Sequence, residues 1–163
     1  MNKLFRVNSD FFNIAIISLI AIFFSLDRYL KNLALNLNIG ENYPLITDYF
    51  SFSFAKNSNI AFSLPLSTKI IFPIIITAII FLTFAITSNI YKKRALTLDS
   101  LLLTFILFGA ISNMLDRLLY GYVIDYLSLK NFSIFNLADI MITLTSFFYI
   151  FYITKQTKRK TTE

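Results

Sequence analysis

The sequence predicts an all-α integral membrane protein in which four transmembrane helices carry a small extracytoplasmic β-hairpin or sheet. The 163 residues are 56% hydrophobic and only 15% charged, whereas soluble domains carry about 25% charged residues. Four apolar stretches approach the roughly 20 residues that a helix needs to cross the hydrocarbon layer. Between the first two stretches, apolar and polar residues alternate as they do in a strand. We expect residues 1–163 to form one membrane domain.

The first two predicted spans cover residues 11–28 and 69–91. Basic residues precede the first span as in a cleavable signal peptide, but no small-residue cleavage site follows it, which indicates a retained helix. The second span contains no charge from Ile70 to Tyr91. Pro73 lies in its first turn, where a helix tolerates proline.

The third and fourth predicted spans cover residues 99–117 and 136–155. Asp116 ends the third apolar run, and Asp139 precedes the fourth. Because Asp27 ends the first run in the same way, every span except the second is interrupted by an aspartate. Alternating helix directions bring these carboxylates to the same side of the membrane.

The distribution of charge predicts the orientation. Segments 1–10, 91–99 and 155–163 hold nine basic and three acidic residues, whereas the rest of the chain holds six of each. Basic residues accumulate in cytoplasmic segments, so both termini are expected in the cytoplasm and the aspartates near the outer, periplasmic face. The short, scattered basic clusters indicate contact with anionic membrane lipids and not with nucleic acid.

An extracytoplasmic β segment is predicted at about residues 45–66. Phe50, Phe52 and Phe54 alternate with small or polar residues, which predicts that the phenylalanines share one face. A polar turn at 56–59 and a second alternating run at 60–64 complete a predicted hairpin. A disordered loop with interfacial aromatic residues remains the alternative, because two isolated strands are barely stable in water.

Composition restricts the chemistry. The chain has no histidine and no cysteine, which excludes imidazole bases, thiolate nucleophiles and His/Cys metal sites. Carboxylates are the strongest remaining candidates, since a charge inside a span costs about 2–3 kcal/mol and is seldom retained without a function. We select Asp125 and Asp139 as catalytic candidates, because two carboxylates sharing a site act as an acid and a base.

Nearby polar residues fit a supporting role by their spacing. Asn113 and Arg117 lie four positions apart on one helix face, and Asn136 lies three before Asp139. Such side chains can orient a carboxylate or donate to a substrate backbone or an oxyanion. Asp116 adjoins the same face, although a simple contact with Arg117 or Asn113 that neutralises a helix end also explains it.

Four other interpretations remain open at this point. Asp27 and Lys31 have the spacing of an ordinary helix-face ion pair. Ser63 with a lysine suggests a serine–lysine hydrolase, but no lysine lies within a span, where loss of water would lower its pKa. A small ion-coupled carrier and a non-enzymatic lipid-binding protein also fit four spans with aspartates.

The chain resembles the lipoprotein signal peptidases, also called signal peptidase II. Five segments carry the resemblance in order: 26–31, Asn57 to Ser63, Gly109 to Arg117, Gly121 to Tyr126, and Phe135 to Asp139. The resemblance implies an aspartyl endopeptidase of the bacterial inner membrane that uses no metal or cofactor. It implies cleavage of prolipoproteins immediately before a diacylglyceryl-modified cysteine, and inhibition by cyclic peptides such as globomycin.

The resemblance also implies roles for single residues. Asp125 and Asp139 match the catalytic pair. Four residues match substrate-binding positions: Asn57, Asn113, Arg117 and Asn136. Asp27 and Lys31 match supporting positions, and nothing in the sequence requires more than a monomer.

This chain departs from the family pattern at a few positions. Asn59 and Ile60 stand where glycine and alanine are usual, and Arg28 stands where glutamine is common. Phe108 and Ser112 occupy positions that are usually glycine. Asparagine readily adopts a left-handed turn, so the predicted hairpin turn is compatible with Asn59.

Overall fold

The computed structural model describes residues 9–47, 49–58 and 68–161. The elements in chain order are helix α1 (Ser9–Ala34), strands β1 (Asn42–Ile46) and β2 (Phe50–Asn57), helices α2 (Thr68–Lys93) and α3 (Leu98–Tyr120), strands β3 (Val123–Leu129) and β4 (Ile134–Phe135), and helix α4 (Leu137–Thr161). The predicted fold class, four long apolar helices with a small sheet, is confirmed.

Each of the four helices is long and apolar enough to cross a membrane. The shortest candidate span has 22 residues, which corresponds to about 33 Å of helix against a hydrocarbon layer of about 30 Å. Large apolar side chains such as Phe81, Phe84 and Phe147 are about two-thirds exposed. Lipid is the solvent that accommodates such a surface.

Helix α3 is the centre of the bundle, since it packs against α1, α2 and α4. It approaches α4 closely at Gly109. A Cβ atom at this position would lie 2.9 Å from the backbone oxygen of Ala138 and 2.9 Å from Cγ1 of Ile142. Only glycine therefore allows the start of α4 to lie this close to α3.

The four strands form one antiparallel sheet in the order β1-β2-β3-β4. Strand β1 is exposed along its whole length, whereas most of β3 is buried. A small apolar core of Ala34, Phe54, Ile124 and Tyr126 joins the sheet to the end of α1. The sheet therefore packs against the end of the bundle at which α1 and α3 finish and α4 begins.

A β-bulge interrupts the pairing of β2 with β3. Phe52 lies opposite Leu127, but Ala55 lies opposite Asp125, so two residues of β2 face the single residue Tyr126. The extra residue reverses the side-chain alternation beyond it. The predicted strict alternation is wrong from Ser53 onward, because Ser53 and Phe54 are both buried.

The bulge determines which side chains share a face. Beyond it, Asn57 lies two positions from Ala55 and therefore on the same face as Asp125. Without the extra residue, Asn57 would point to the opposite face. The partners of β2 are β1 and β3, which the sequence did not predict; the predicted second hairpin strand at 60–64, Asn59 and Ser63 lie outside the described residues.

We expect Gly109→Ala to destabilise the bundle. The added methyl group collides with the backbone of Ala138, and overpacking of this kind costs about 1–3 kcal/mol. Thermal unfolding in detergent measures the loss. Ser18→Thr is the matched control, because it adds one methyl group on the exposed side of α1; equal melting temperatures for both variants would contradict the close contact.

Candidate functional site

The end of α3 directs the chain into the strand that carries Asp125. Gly121 ends the helix with a positive φ of 81°, and its amide donates to the carbonyl of Arg117 at 3.0 Å. This left-handed cap suits glycine, which has no Cβ. The connection that the sequence left without structure is strand β3, and Asp125 lies within it.

Asn136 begins α4 and orients Asp139. The side-chain oxygen of Asn136 accepts from the amide of Asp139 at 2.9 Å, and the carboxylate of Asp139 accepts from the amide of Asn136 at 3.2 Å. These reciprocal bonds form a capping box, with asparagine and aspartate in the usual positions of serine and glutamate. The carboxylate of Asp139 is therefore fixed by the geometry of a helix start.

Two amide side chains hold the carboxylate of Asp125. Asn57 Nδ2 donates to one oxygen at 2.8 Å, and Asn136 Nδ2 donates to the other at 2.7 Å. Asp125 is 2% exposed. Both oxygens of this buried carboxyl group therefore have a hydrogen-bond donor.

Asn136 connects the two candidate catalytic residues. Its side chain donates to Asp125, while its backbone amide donates to Asp139. Asn113 Nδ2 donates to the second oxygen of Asp139 at 2.8 Å. The structure thus brings together Asp125, Asp139 and three of the residues matched to substrate binding.

The environment of Asp125 changes its acidity. Burial, followed by the charge of Asp139, raises the pKa of Asp125 from 3.8 to about 7, against the opposing effects of the two asparagine hydrogen bonds and of Lys31. Loss of water and a like charge both disfavour the ionised form. Asp125 is therefore able to hold a proton near neutral pH.

Arg117 supplies positive charge beside these carboxylates. It is 8% exposed, and its guanidinium donates to the carbonyl of Asn113 at 3.4 Å. It also interacts electrostatically with Asp139, Asp125 and Asp116. If the Asp125–Asp139 pair shares one proton, Arg117 balances the remaining negative charge.

A buried ion network lies next to the pair. Lys31 Nζ lies 3.0 Å from Asp27 and 2.8 Å from Asp116, and it donates to Asn113 at 2.8 Å. Lys31, Asp27 and Asp116 are all fully buried. The Asp27–Lys31 pair therefore lies in the interior on α1, and Lys31 links it to α3 through Asp116 and through Asn113, the asparagine that holds Asp139.

Arg28 and Ser112 meet in this network. The Arg28 guanidinium pairs with the carboxylate of Asp116 and donates to the carbonyl of Ser112 at 3.2 Å. The Ser112 hydroxyl donates to Asp27 at 2.6 Å. Asp116 thus forms ion pairs with Arg28 and Lys31 and also interacts electrostatically with Arg117, so its charge is neutralised at the end of α3 as the alternative interpretation expects.

Tyr126 belongs to the site but was not selected from the sequence. Its hydroxyl donates to Asp27 at 2.9 Å and accepts from the amide of Leu137 at 3.1 Å. The amide of Ala138 donates to the same oxygen of Asp27 at 3.1 Å. The position of Tyr126 directly after Asp125 was the available signal, although its partners come from distant segments.

Comparison with known proteins places this chain in a family. The model of signal peptidase (SPase) II matches residues 19–155. A lipoprotein signal peptidase of Clostridium tetani is 36% identical over 139 residues, covering 80% of this chain and 86% of the relative. One of Brevibacillus brevis is 37% identical over 128 residues, covering 76% and 84%.

Solved structures agree on the fold. A bacterial membrane enzyme superposes with a TM-score of 0.77 at 22% identity, covering 98% of this chain and 96% of its own. A second bacterial membrane enzyme gives a TM-score of 0.70 at 22% identity, covering 94% and 97%. With a family match over most of its length and relatives above 30% identity, the chain belongs to the signal peptidase II family and is a membrane peptidase.

Proposed function

We propose that this protein is an aspartic endopeptidase that removes signal peptides from diacylglyceryl-modified prolipoproteins by cleaving before the lipidated cysteine. Asp125 and Asp139 form the catalytic pair. The main support for the proposal is that Asn136 donates hydrogen bonds to both carboxyl groups, from its side chain to Asp125 and from its backbone amide to Asp139. Family membership supports the prolipoprotein substrate.

The two carboxyl groups divide the chemistry between them. Asp139, as the ionised partner, takes a proton from a water molecule, and the oxygen of that water attacks the peptide carbonyl carbon. Asp125, whose pKa of about 7 leaves about half of it protonated at neutral pH, then gives its proton to the leaving nitrogen as the carbon–nitrogen bond breaks. The pair titrates as a unit, because each charge affects the other.

Four polar side chains are proposed to bind the substrate: Asn57, Asn113, Arg117 and Asn136. Each asparagine directs an amide hydrogen at a catalytic carboxylate, and Asn136 also donates to the carbonyl of Ile124. An amide group has two hydrogens, so Asn113 is the member of this set best placed to donate to a substrate carbonyl as well. The Arg117 guanidinium offers further donors to the same region. These donors favour an extended peptide backbone, whose carbonyl groups are regularly spaced.

Asp27, Lys31 and Asp116 are proposed to support the site without contacting the substrate. All three are fully buried, and the ammonium group of Lys31 donates a hydrogen bond to the side-chain oxygen of Asn113. Removing one member of a buried ion network leaves an unpaired charge, which costs about 3–5 kcal/mol. Their role is therefore to keep Asn113 and the start of α4 in place.

The proposed location is the bacterial inner membrane, with both termini in the cytoplasm and the site near the periplasmic face. The excess of basic residues in the segments far from the site supports this orientation. A site at the membrane boundary suits a substrate anchored by acyl chains. We further propose that the enzyme acts as a monomer among membrane lipids and that cyclic peptides such as globomycin inhibit it.

Replacing either catalytic carboxyl group tests the proposal. We expect Asp125→Asn and Asp139→Asn each to reduce cleavage of a lipid-modified precursor by at least about 1,000-fold, because an amide cannot exchange the required proton. The assay uses purified protein in detergent, without any ion gradient.

Asp99→Asn is the matched control. Asp99 is also a buried carboxylate, but it pairs with Lys93 at the opposite end of the bundle. We expect this variant to keep its activity. Cleavage retained in both Asp125→Asn and Asp139→Asn would overturn the aspartic mechanism.

The pH dependence of cleavage tests the assignment of the proton. Because Asp125 must be protonated to act as the acid, and its pKa is about 7, kcat/KM is expected to fall as the pH rises above about 7. The decline approaches tenfold per pH unit. A flat rate between pH 6 and 9 would show that Asp125 is not the acid.

Stability provides a second test of Asp125. Since the folded state raises the pKa of this group from 3.8 to about 7, its contribution to the free energy of unfolding is greatest below pH 3.8 and is lost as the pH rises through about 7. The shift of the pKa from 3.8 to about 7 corresponds to a change of about 4 kcal/mol in the free energy of unfolding. The melting temperature of Asp125→Asn relative to the parent protein should therefore increase from pH 4 to pH 8, and a constant difference would contradict the raised pKa.

A further inference from the structure

The Tyr126 hydroxyl connects helix α1 to the start of helix α4. The side chain is fully buried, and its ring packs against Phe52 with ring centroids 5.6 Å apart. The hydroxyl donates to Asp27 on α1 and accepts from the amide of Leu137 at the start of α4. The donor and one acceptor position of the phenol are therefore both used.

Tyr126 is linked to both catalytic carboxyl groups through very short stretches of backbone. Asp125 precedes it directly in β3. Leu137, which it binds, lies two positions before Asp139, and Ala138 binds the same Asp27 oxygen as the tyrosine. The hydroxyl therefore joins the strand that carries one carboxyl group to the helix start that carries the other.

Packing alone does not explain a tyrosine here. A phenylalanine would fill the same space against Phe52, but it would leave the amide of Leu137 without this acceptor. An unsatisfied buried amide costs about 1–3 kcal/mol. The phenol thus supplies a bond that fixes the first turn of α4 relative to β3.

We propose that Tyr126 is a positioning residue that sets the separation of the Asp125 and Asp139 carboxyl groups by tying β3 and Asp27 to the first turn of α4. This inference rests on the proposed catalytic role of the two aspartates. It assigns the tyrosine no contact with the substrate. Its effect is on geometry, since small displacements of reacting groups reduce rates strongly.

The proposal predicts a change in the titration of the site. When the hydroxyl is removed, the start of α4 moves away from β3, and the charge of Asp139 acts less strongly on Asp125. The pKa of Asp125 then falls toward its usual value. The other charged groups packed around this region are unchanged by the substitution: Asp27, Arg28 and Lys31 on α1, Lys56 on β2, and Asp116 and Arg117 on α3.

Tyr126→Phe is the direct test, in a cleavage assay with the full-length protein and a lipid-modified precursor. We expect kcat to fall about tenfold and KM to change less than about twofold. The decline of kcat/KM at high pH should begin at least about 0.5 pH unit lower than in the parent protein. A purely structural role would lower the melting temperature or the yield, but the folded fraction would keep its kcat and pH profile.

Tyr122→Phe is the matched control, because it removes the same atom from the same segment. The Tyr122 ring packs against Phe54 and Tyr120 beneath the Lys56 ammonium group, whereas the contacts of the Tyr126 hydroxyl are Asp27 and Leu137. We expect unchanged kcat, KM and pH profile. A loss equal to that of Tyr126→Phe would overturn the assignment to Tyr126.

A double-substitution cycle with Asp27→Asn tests the connection itself. If both residues act through one bonded unit, the losses in kcat for Tyr126→Phe and Asp27→Asn are less than additive in the double variant. Full additivity, or parental kcat and pH profile in Tyr126→Phe, would overturn the inference while leaving the aspartic mechanism intact. Cleavage retained in both Asp125→Asn and Asp139→Asn would instead overturn the mechanism on which the inference rests.

Discussion

The start of α4 is the physical constraint on which the site depends. The first amide groups of a helix have no partners within the helix, and at the edge of a membrane span water is a poor substitute. Here the backbone amide of Leu137 donates to the hydroxyl of Tyr126, and that of Ala138 donates to the carboxylate of Asp27. The backbone amide of Asp139 donates to the side-chain oxygen of Asn136. The groups that complete the helix are therefore the same groups that surround the proposed catalytic pair. The site therefore assembles as this end of the helix folds.

The buried charges are arranged so that each cluster approaches neutrality. Two cations, Arg28 and Lys31, face two anions, Asp27 and Asp116. Such networks seldom add much net stability, because loss of water offsets the attraction between the ions. Their contribution here is placement, since Lys31 also holds Asn113. Ser112 adds a hydroxyl to this network that joins α3 to Asp27 on α1.

The sequence predicted what local pattern and ordered motifs determine. The four helices follow from long apolar runs, and the Asn136–Asp139 spacing follows from the rules of helix starts. The extent of β3 and the role of Tyr126 were missed, because both depend on partners tens of residues away. The same holds for the pairing of Arg28 with Asp116, since neither residue type specifies its partner. The local sequence identifies candidate site residues, whereas contacts between distant segments determine which of these residues lie together in the fold.

The bulge in β2 makes the site sensitive to the number of residues in that strand. Asn57 reaches Asp125 only because one additional residue precedes it in the ladder. Substitution of the exposed residues of β2 leaves this count unchanged, whereas an insertion or deletion of one residue between Phe50 and Ala55 inverts the strand and turns Asn57 away. Divergent members of the family that keep this asparagine contact should therefore conserve the length of this strand.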